Sequence, residues 1–227
     1  MFDYSKISEK DSRQYIQTVN ERGYGQIQTP VLETLLVWKK QYQKSPESEI
    51  TDGYIKKFIT REVSKGYPLN MKVIYPKSWK ETTLARKPKI QQRMVSDYGL
   101  GSVMMTVTID PSKTDYQKDM IQQQLSKKMM QKNAVPTDIV LFYKPEVLID
   151  NCPAASITIY HEETTKTSKR LFVNETYTAF YKNYRIGVNF SFSSSVSQDD
   201  VMASYEKNKL LIKKIINNIV ILSQWGQ

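Results

Sequence analysis

The spacing of apolar and polar positions changes period part-way along the chain. Up to about residue 66 the apolar residues recur at three and four. Leu32, Leu35, Leu36 and Tyr42 follow Thr29-Pro30, an N-cap with proline at the first helical position, where its missing N–H costs nothing. Ser45, Pro46, Glu47 and Glu49 repeat that grammar, the carboxylates lying near the positive end of a helix dipole. Ile50, Tyr54 and Phe58 then recur at intervals of four, and Gly66 closes the run. A shorter stretch around Tyr15, Ile16 and Val19 runs to Gly23. The pattern predicts a helical segment over 1–66, built of short helices that bury too little to stand alone.

From about residue 69 the period becomes two. Val103, Met105, Val107 and Ile109 share one face of a predicted strand, with Met104, Thr106 and Thr108 on the other. Ala155, Ile157 and Ile159 alternate with Ser156, Thr158 and Tyr160, and Ile90, Met94 and Val95 mark a weaker strand. The run DIVLFYK at 138–144 is apolar on both sides, the pattern of a central, covered strand. Tyr184, Ile186, Val188, Phe190 and Phe192 share a face opposite Arg185, Gly187, Asn189, Ser191 and Ser193. Before them Leu171, Val173, Tyr177, Ala179 and Tyr181 alternate likewise, and Lys182-Asn183 suits a short hairpin in which asparagine takes positive φ. The aromatic row lies away from Arg185, so it faces a core rather than stacked bases. Tyr160 and Phe180 remain as candidate exposed rings on the opposite side.

Two helical patterns flank these strands. One opens at Thr114, with Gln117 completing a capping box, and runs to about Lys132, with Tyr116, Met120, Ile121, Leu125 and Met129 as its buried stripe. The other opens at Ser197, with Asp200 three residues on. It buries Val201, Tyr205, Leu211, Ile212, Ile215, Ile216, Ile219 and Leu222, and sets Lys207, Lys209, Lys213 and Lys214 on its far side. The predicted fold class is α+β: an antiparallel sheet packed by helices over 67–227, after a helical extension over 1–66.

Charge narrows the partners. The chain has 33 basic and 23 acidic residues, a net +10. Residues 1–66 hold 11 and 9 of these, a net +2, and residues 67–227 hold 22 and 14, a net +8. Such an excess favours acidic proteins, anionic lipid surfaces or nucleic acid. Its densest stretch sets Lys77, Lys80, Arg86, Lys87, Lys89 and Arg93 around Trp79, opposed only by Glu81. These seven residues form the candidate binding surface. An exposed Trp79 would stack on a base or anchor a protein contact, whereas a packed one would leave only hydrated cations.

Chemistry is scarce. A single cysteine, Cys152, excludes an internal disulfide and a cysteine-based zinc site, and reads as structural. A single histidine, His161, excludes a histidine-rich metal site and removes the commonest general base. His161, Glu162 and Glu163 read as a hydrated hairpin turn. YGLGS at 98–102 lacks the Lys-Ser/Thr ending and following helix of a phosphate loop, and reads as a turn into a strand. The acceptor matches at Asn174 and Asn189 fall in predicted strands and receive no role. No catalytic residue, metal or cofactor is expected. No stretch is apolar enough to span a membrane. The opening residues lack a signal-peptide core, as they also would after removal of a signal.

Four strings then resemble the PsbP-like superfamily, named for an extrinsic subunit of photosystem II and including the Ran-binding Mog proteins and bacterial envelope relatives. YPKSWKE at 75–81 resembles its Pro-x-x-Trp entry turn. IDNCPAASITIYH at 149–161 is similar to its Asp-Gly-x-Pro-Ala turn, with Asn151 where glycine is usual. YTAFYKNYRIGVNFSFS at 177–193 looks like its Tyr-Lys-Asn hairpin, and the last amphipathic helix completes the order. The resemblance covers roughly residues 68–224. It implies a non-enzymatic module that binds, stabilises or chaperones another macromolecule, in the cell envelope or exported rather than cytoplasmic. The expected partner is a protein, acting at the sheet face and the Trp79 loop. The alternative is nucleic acid or an anionic surface bound through residues 77–93.

Overall fold

A computed structural model describes residues 46–60, 69–82, 89–96, 103–133, 137–164 and 168–226. The chain divides into two compact units, Met1–Ser48 and Glu49–Gln227, and every described strand belongs to the second. The patterns read over residues 1–45, and the YGLGS string, lie outside the described residues.

A short helix, α1 (Pro46–Thr51), ends at a turn where Gly53 takes φ 78°. The helix predicted to run on to Gly66 therefore stops early. Ile55–Ile59 is instead strand β1, paired antiparallel with β2 (Lys72–Pro76). Pairing buries Phe58 while Tyr54 stays half exposed, so Ile50, Tyr54 and Phe58 are not one buried stripe. The pairing also joins this segment to the unit beginning at Glu49.

Among the described residues the main sheet has seven antiparallel strands: β3 (Lys80–Glu81), β4 (Ile90–Val95), β5 (Val103–Pro111), β6 (Ile139–Ile149), β7 (Cys152–Thr164), β8 (Lys169–Tyr181) and β9 (Tyr184–Ser194). Their spatial order is β3-β4-β5-β9-β8-β7-β6. Register puts Val107, Val188, Tyr177 and Ser156 in one line across four strands, with Met105, Phe190, Glu175 and Thr158 in the next. That face meets α4 (Gln198–Asn217), whose Val201, Tyr205, Leu211, Ile212, Ile215 and Ile216 are buried as expected. Ser197 caps it: its Oγ accepts from Asp200 N–H at 3.1 Å and donates to Asp200 Oδ2 at 2.7 Å. The expected α+β architecture, a sheet packed by helices, is the one observed.

Four local expectations change. The β8–β9 hairpin does turn at Lys182-Asn183, but the residue at positive φ is Lys182, at 50°. DIVLFYK falls in β6, which is the edge of the sheet and not its centre. Tyr160 and Phe180 are 6% and 2% exposed and so are not surface rings. The Thr114 helix begins only at Lys118: α2 (Lys118–Leu125) starts after Gln117, which makes no capping bond, and Ser126 separates it from α3 (Lys127–Met130). Neither helix has a fully buried residue. The opposite sheet face sets Thr106, Asn189 and Thr176 beside Ile157 and Phe180, so an apolar stripe finds only a small patch there, where Tyr116 meets Phe180 at 4.7 Å between ring centres.

Gly187 is set by space, since a Cβ there would collide with Thr108 Oγ1, which itself donates to Gly187 O at 3.2 Å. Gly187→Ala is expected to lower stability by about 1–3 kcal/mol in urea unfolding. In a Thr108→Ala background the same change should be nearly neutral. An equal cost in both backgrounds would show that this collision is not the cause.

Candidate functional site

The structure takes Trp79 out of the cationic surface read from the sequence. Trp79 is wholly buried, and among the described residues its indole Nε1 has no hydrogen-bond partner. Lys56 Nζ donates to Trp79 O at 2.8 Å, and Ser78 N–H donates to Glu49 Oε2 at 2.9 Å, fixing the turn around it. The ring thus closes the core between β2 and β3, and Trp79 leaves the candidate surface. Lys77 and Lys80 are exposed at this turn. Lys89 is engaged with Asp110 at 2.9 Å, and Arg185 joins the same carboxylate at 2.8 Å. Arg93 lies on β4 opposite Thr106, with its Nε buried. Arg86 and Lys87 lie outside the described residues.

His161, Glu162 and Glu163 are not a turn but rungs of the β7–β8 ladder. His161 Nδ1 is 2.6 Å from Asp138 Oδ1, and Glu162 pairs with Lys169 at 2.6 Å. Among the described residues no group of three or more His, Cys, Asp or Glu is placed to hold a metal. Cys152 is buried, its thiol donating to Gln224 Oε1 at 3.3 Å. Burial and the nearby Asp150 charge push that thiol up to about 11, so it is structural rather than reactive.

Two grooves of about 440 Å³ each flank the sheet. One lies on the polar face beside α3, lined by Asn174, Thr176, Asn189, His161 and Met129 among others. The other lies between α4 and β6, lined by Lys144, Val147, Tyr205, Lys209, Leu210 and Lys213, with Glu175 and Tyr177. It exists because α4 packs over β8 and β9 and stops short of β6. Ser156, Thr158 and Glu175 replace apolar residues on the sheet face there, all three buried.

These floor residues are tied together. Tyr177 Oη donates to Glu175 Oε1 at 2.8 Å, and the Tyr205 hydroxyl bonds the same carboxylate. Tyr205 Oη and Thr158 Oγ1 are 3.3 Å apart. Burial first, and the Glu175 charge next, hold the Tyr177 phenol far above its ordinary value of 10.0. Burial raises Tyr205 as well, against an opposing bond from Thr158. Above the groove, Lys209 Nζ lies 4.8 Å from the Phe142 ring centre and 4.9 Å from that of Tyr205. Sequence reasoning missed this site. Its only signal was DIVLFYK, apolar on two sides and destined for an edge.

No family model matches the chain, and no curated protein matches it. Among solved structures it is similar to LpqN of Mycobacterium tuberculosis, described as involved in cell envelope biogenesis: TM-score 0.43, 12% identity, 79% of this chain and 98% of that one. It is similar to the Ran-binding protein Mog1p of Saccharomyces cerevisiae: TM-score 0.44, 9% identity, 74% of this chain and 95% of that one. It is also similar to a protein of Bacteroides thetaiotaomicron: TM-score 0.40, 13% identity, 74% of this chain and 48% of that one, so the match spans about half of that protein. These are likenesses of shape alone.

The raised phenols make stability depend on alkaline pH. Above pH 10.0, the ordinary value for tyrosine, unfolded chains release protons that the folded state keeps. Stability therefore falls as pH rises from there. Urea unfolding at about pH 8 and about pH 10.5 should show this loss, and Tyr177→Phe should make it smaller. An unchanged slope would contradict the assignment to Tyr177.

Proposed function

We propose that the Glu49–Gln227 unit is a non-catalytic, PsbP-like module that binds another protein through β6 and the adjoining part of α4. The observation supporting this is an apolar strand at the edge of the described sheet: on the face toward α4, Ile139 and Phe142 are 54% and 44% exposed, and Leu210 on α4 is 51% exposed. Grouped exposure of large apolar side chains marks interaction surfaces. β6 also carries irregularities between Val140 and Phe142 and between Lys144 and Val147, with Glu146 at φ 59°. Such bulges guard an edge against indiscriminate strand pairing, and they favour recognition through side chains.

A second reading rests on the +8 of residues 67–227. It assigns nucleic acid or an anionic surface to Lys77, Lys80, Lys89 and Arg93, with Arg86 and Lys87. Its affinity would fall steeply with salt as counterions are released. The envelope location comes with the PsbP-like resemblance alone. No helix among the described residues is long and apolar enough to cross a membrane.

Affinity capture from source-cell lysate, with and without nuclease and at low and high salt, separates the two readings. Wild-type protein is expected to retain a discrete protein under all four conditions. Phe142→Ser should weaken that capture, and Lys77→Glu with Lys80→Glu should leave it intact. Capture that disappears with nuclease or salt would favour the second reading and remove the first.

A further inference from the structure

We infer that the groove between α4 and β6 docks an acidic, apolar-rich segment of the partner, an inference that rests on the protein-binding reading above. The groove brings two kinds of recognition together. Its lip is cationic: Lys144 rises from β6 and Lys213 from α4, both exposed, and among the described residues neither has a carboxylate partner. Between them Lys209 is held over the Phe142 and Tyr205 rings and pairs with Glu206 at 2.6 Å. Its walls are apolar, with Val147 on one side and Leu210 and Ile216 on the other.

Like charges facing each other across a groove repel, and an anion placed between them relieves both. A carboxylate reaching Lys144 and Lys213 gains from each, while a basic segment meets their repulsion. The one acidic floor residue, Glu175, is buried behind the hydroxyls of Tyr177 and Tyr205. A partner carboxylate therefore stays at the lip, and an apolar side chain enters between Leu210 and Val147. That division of labour distinguishes a protein segment from nucleic acid, whose phosphates would use the lysines and leave Phe142 and Leu210 unused. The surplus of 22 basic over 14 acidic residues in 67–227 steers such a segment toward the groove.

Fluorescence anisotropy with three labelled peptides of about ten residues tests this: alternating Glu and Leu, alternating Lys and Leu, and alternating Glu and Ser. The Glu/Leu peptide is expected to bind and the other two to bind at least tenfold more weakly. Lys144→Glu with Lys213→Glu should cost at least tenfold, as should Leu210→Ser alone. Lys77→Glu with Lys80→Glu should cost nothing. All five positions are exposed, so folding is not at stake. The inference is overturned if the Glu/Leu peptide fails to bind or ignores the groove variants. Equal binding of the Lys/Leu peptide, or displacement by single-stranded DNA of equal charge, overturns it as well. If the wild type captures a discrete protein from lysate yet ignores the Glu/Leu peptide, this groove assignment falls while the protein-binding reading stands. If it captures none, that reading falls too.

Discussion

The contact between α4 and the β8–β9 half of the sheet sets the rest of the unit. A helix of 20 residues with Val201, Tyr205, Leu211, Ile212, Ile215 and Ile216 on one side meets a strand pair carrying Val173, Tyr177, Val188, Phe190 and Phe192. Phe192 and Tyr205 meet edge to face with centres 5.6 Å apart. One helix is about 10 Å wide and cannot cover seven strands. Its position over β8 and β9 decides where the sheet face is sealed and where it opens. Beyond Glu175 the face turns to Ser156 and Thr158, side chains that tolerate a wet cleft.

The open side then follows from elementary constraints. A carboxyl as deeply placed as Glu175 must be hydrogen-bonded, and the Tyr177 and Tyr205 hydroxyls supply those bonds. Tyr205 does double duty, since its ring lies under Lys209 while its hydroxyl serves the floor. At the sheet's end, β6 keeps apolar side chains that no described helix covers. Its two bulges discourage edge-to-edge pairing without hiding Phe142. Apolar exposure at Phe142 and Leu210, cations with no carboxylate partner among the described residues, and a guarded edge thus coincide along the groove between α4 and β6.

Much of the fold was legible because period-two alternation survives wherever one face of a strand is buried. The rows from Val103 to Ile109 and from Tyr184 to Phe192 are examples, and the stripe of α4 was equally plain. The site was not legible, for a physical reason. A strand apolar on both sides reads as central whether a helix covers it or a partner does, so the composition of β6 could not reveal its position. Trp79 misled in the opposite way. Six nearby cations suggested a surface, yet an indole is valuable enough in a core to be buried even with its N–H unpaired among the described residues. The run from Ile50 to Phe58 failed because Gly53 at positive φ ended the helix and pairing with β2 outweighed helical spacing.

Photo-crosslinking in source cells would show what occupies the groove, with a benzophenone side chain placed at Leu210, at Phe142, or at Lys80 as a control. One shared protein adduct is expected from Leu210 and Phe142, mapping to an acidic segment of that partner, and no such adduct from Lys80. Adducts from Lys80 alone, or different and scattered products from the two groove positions, would contradict that expectation.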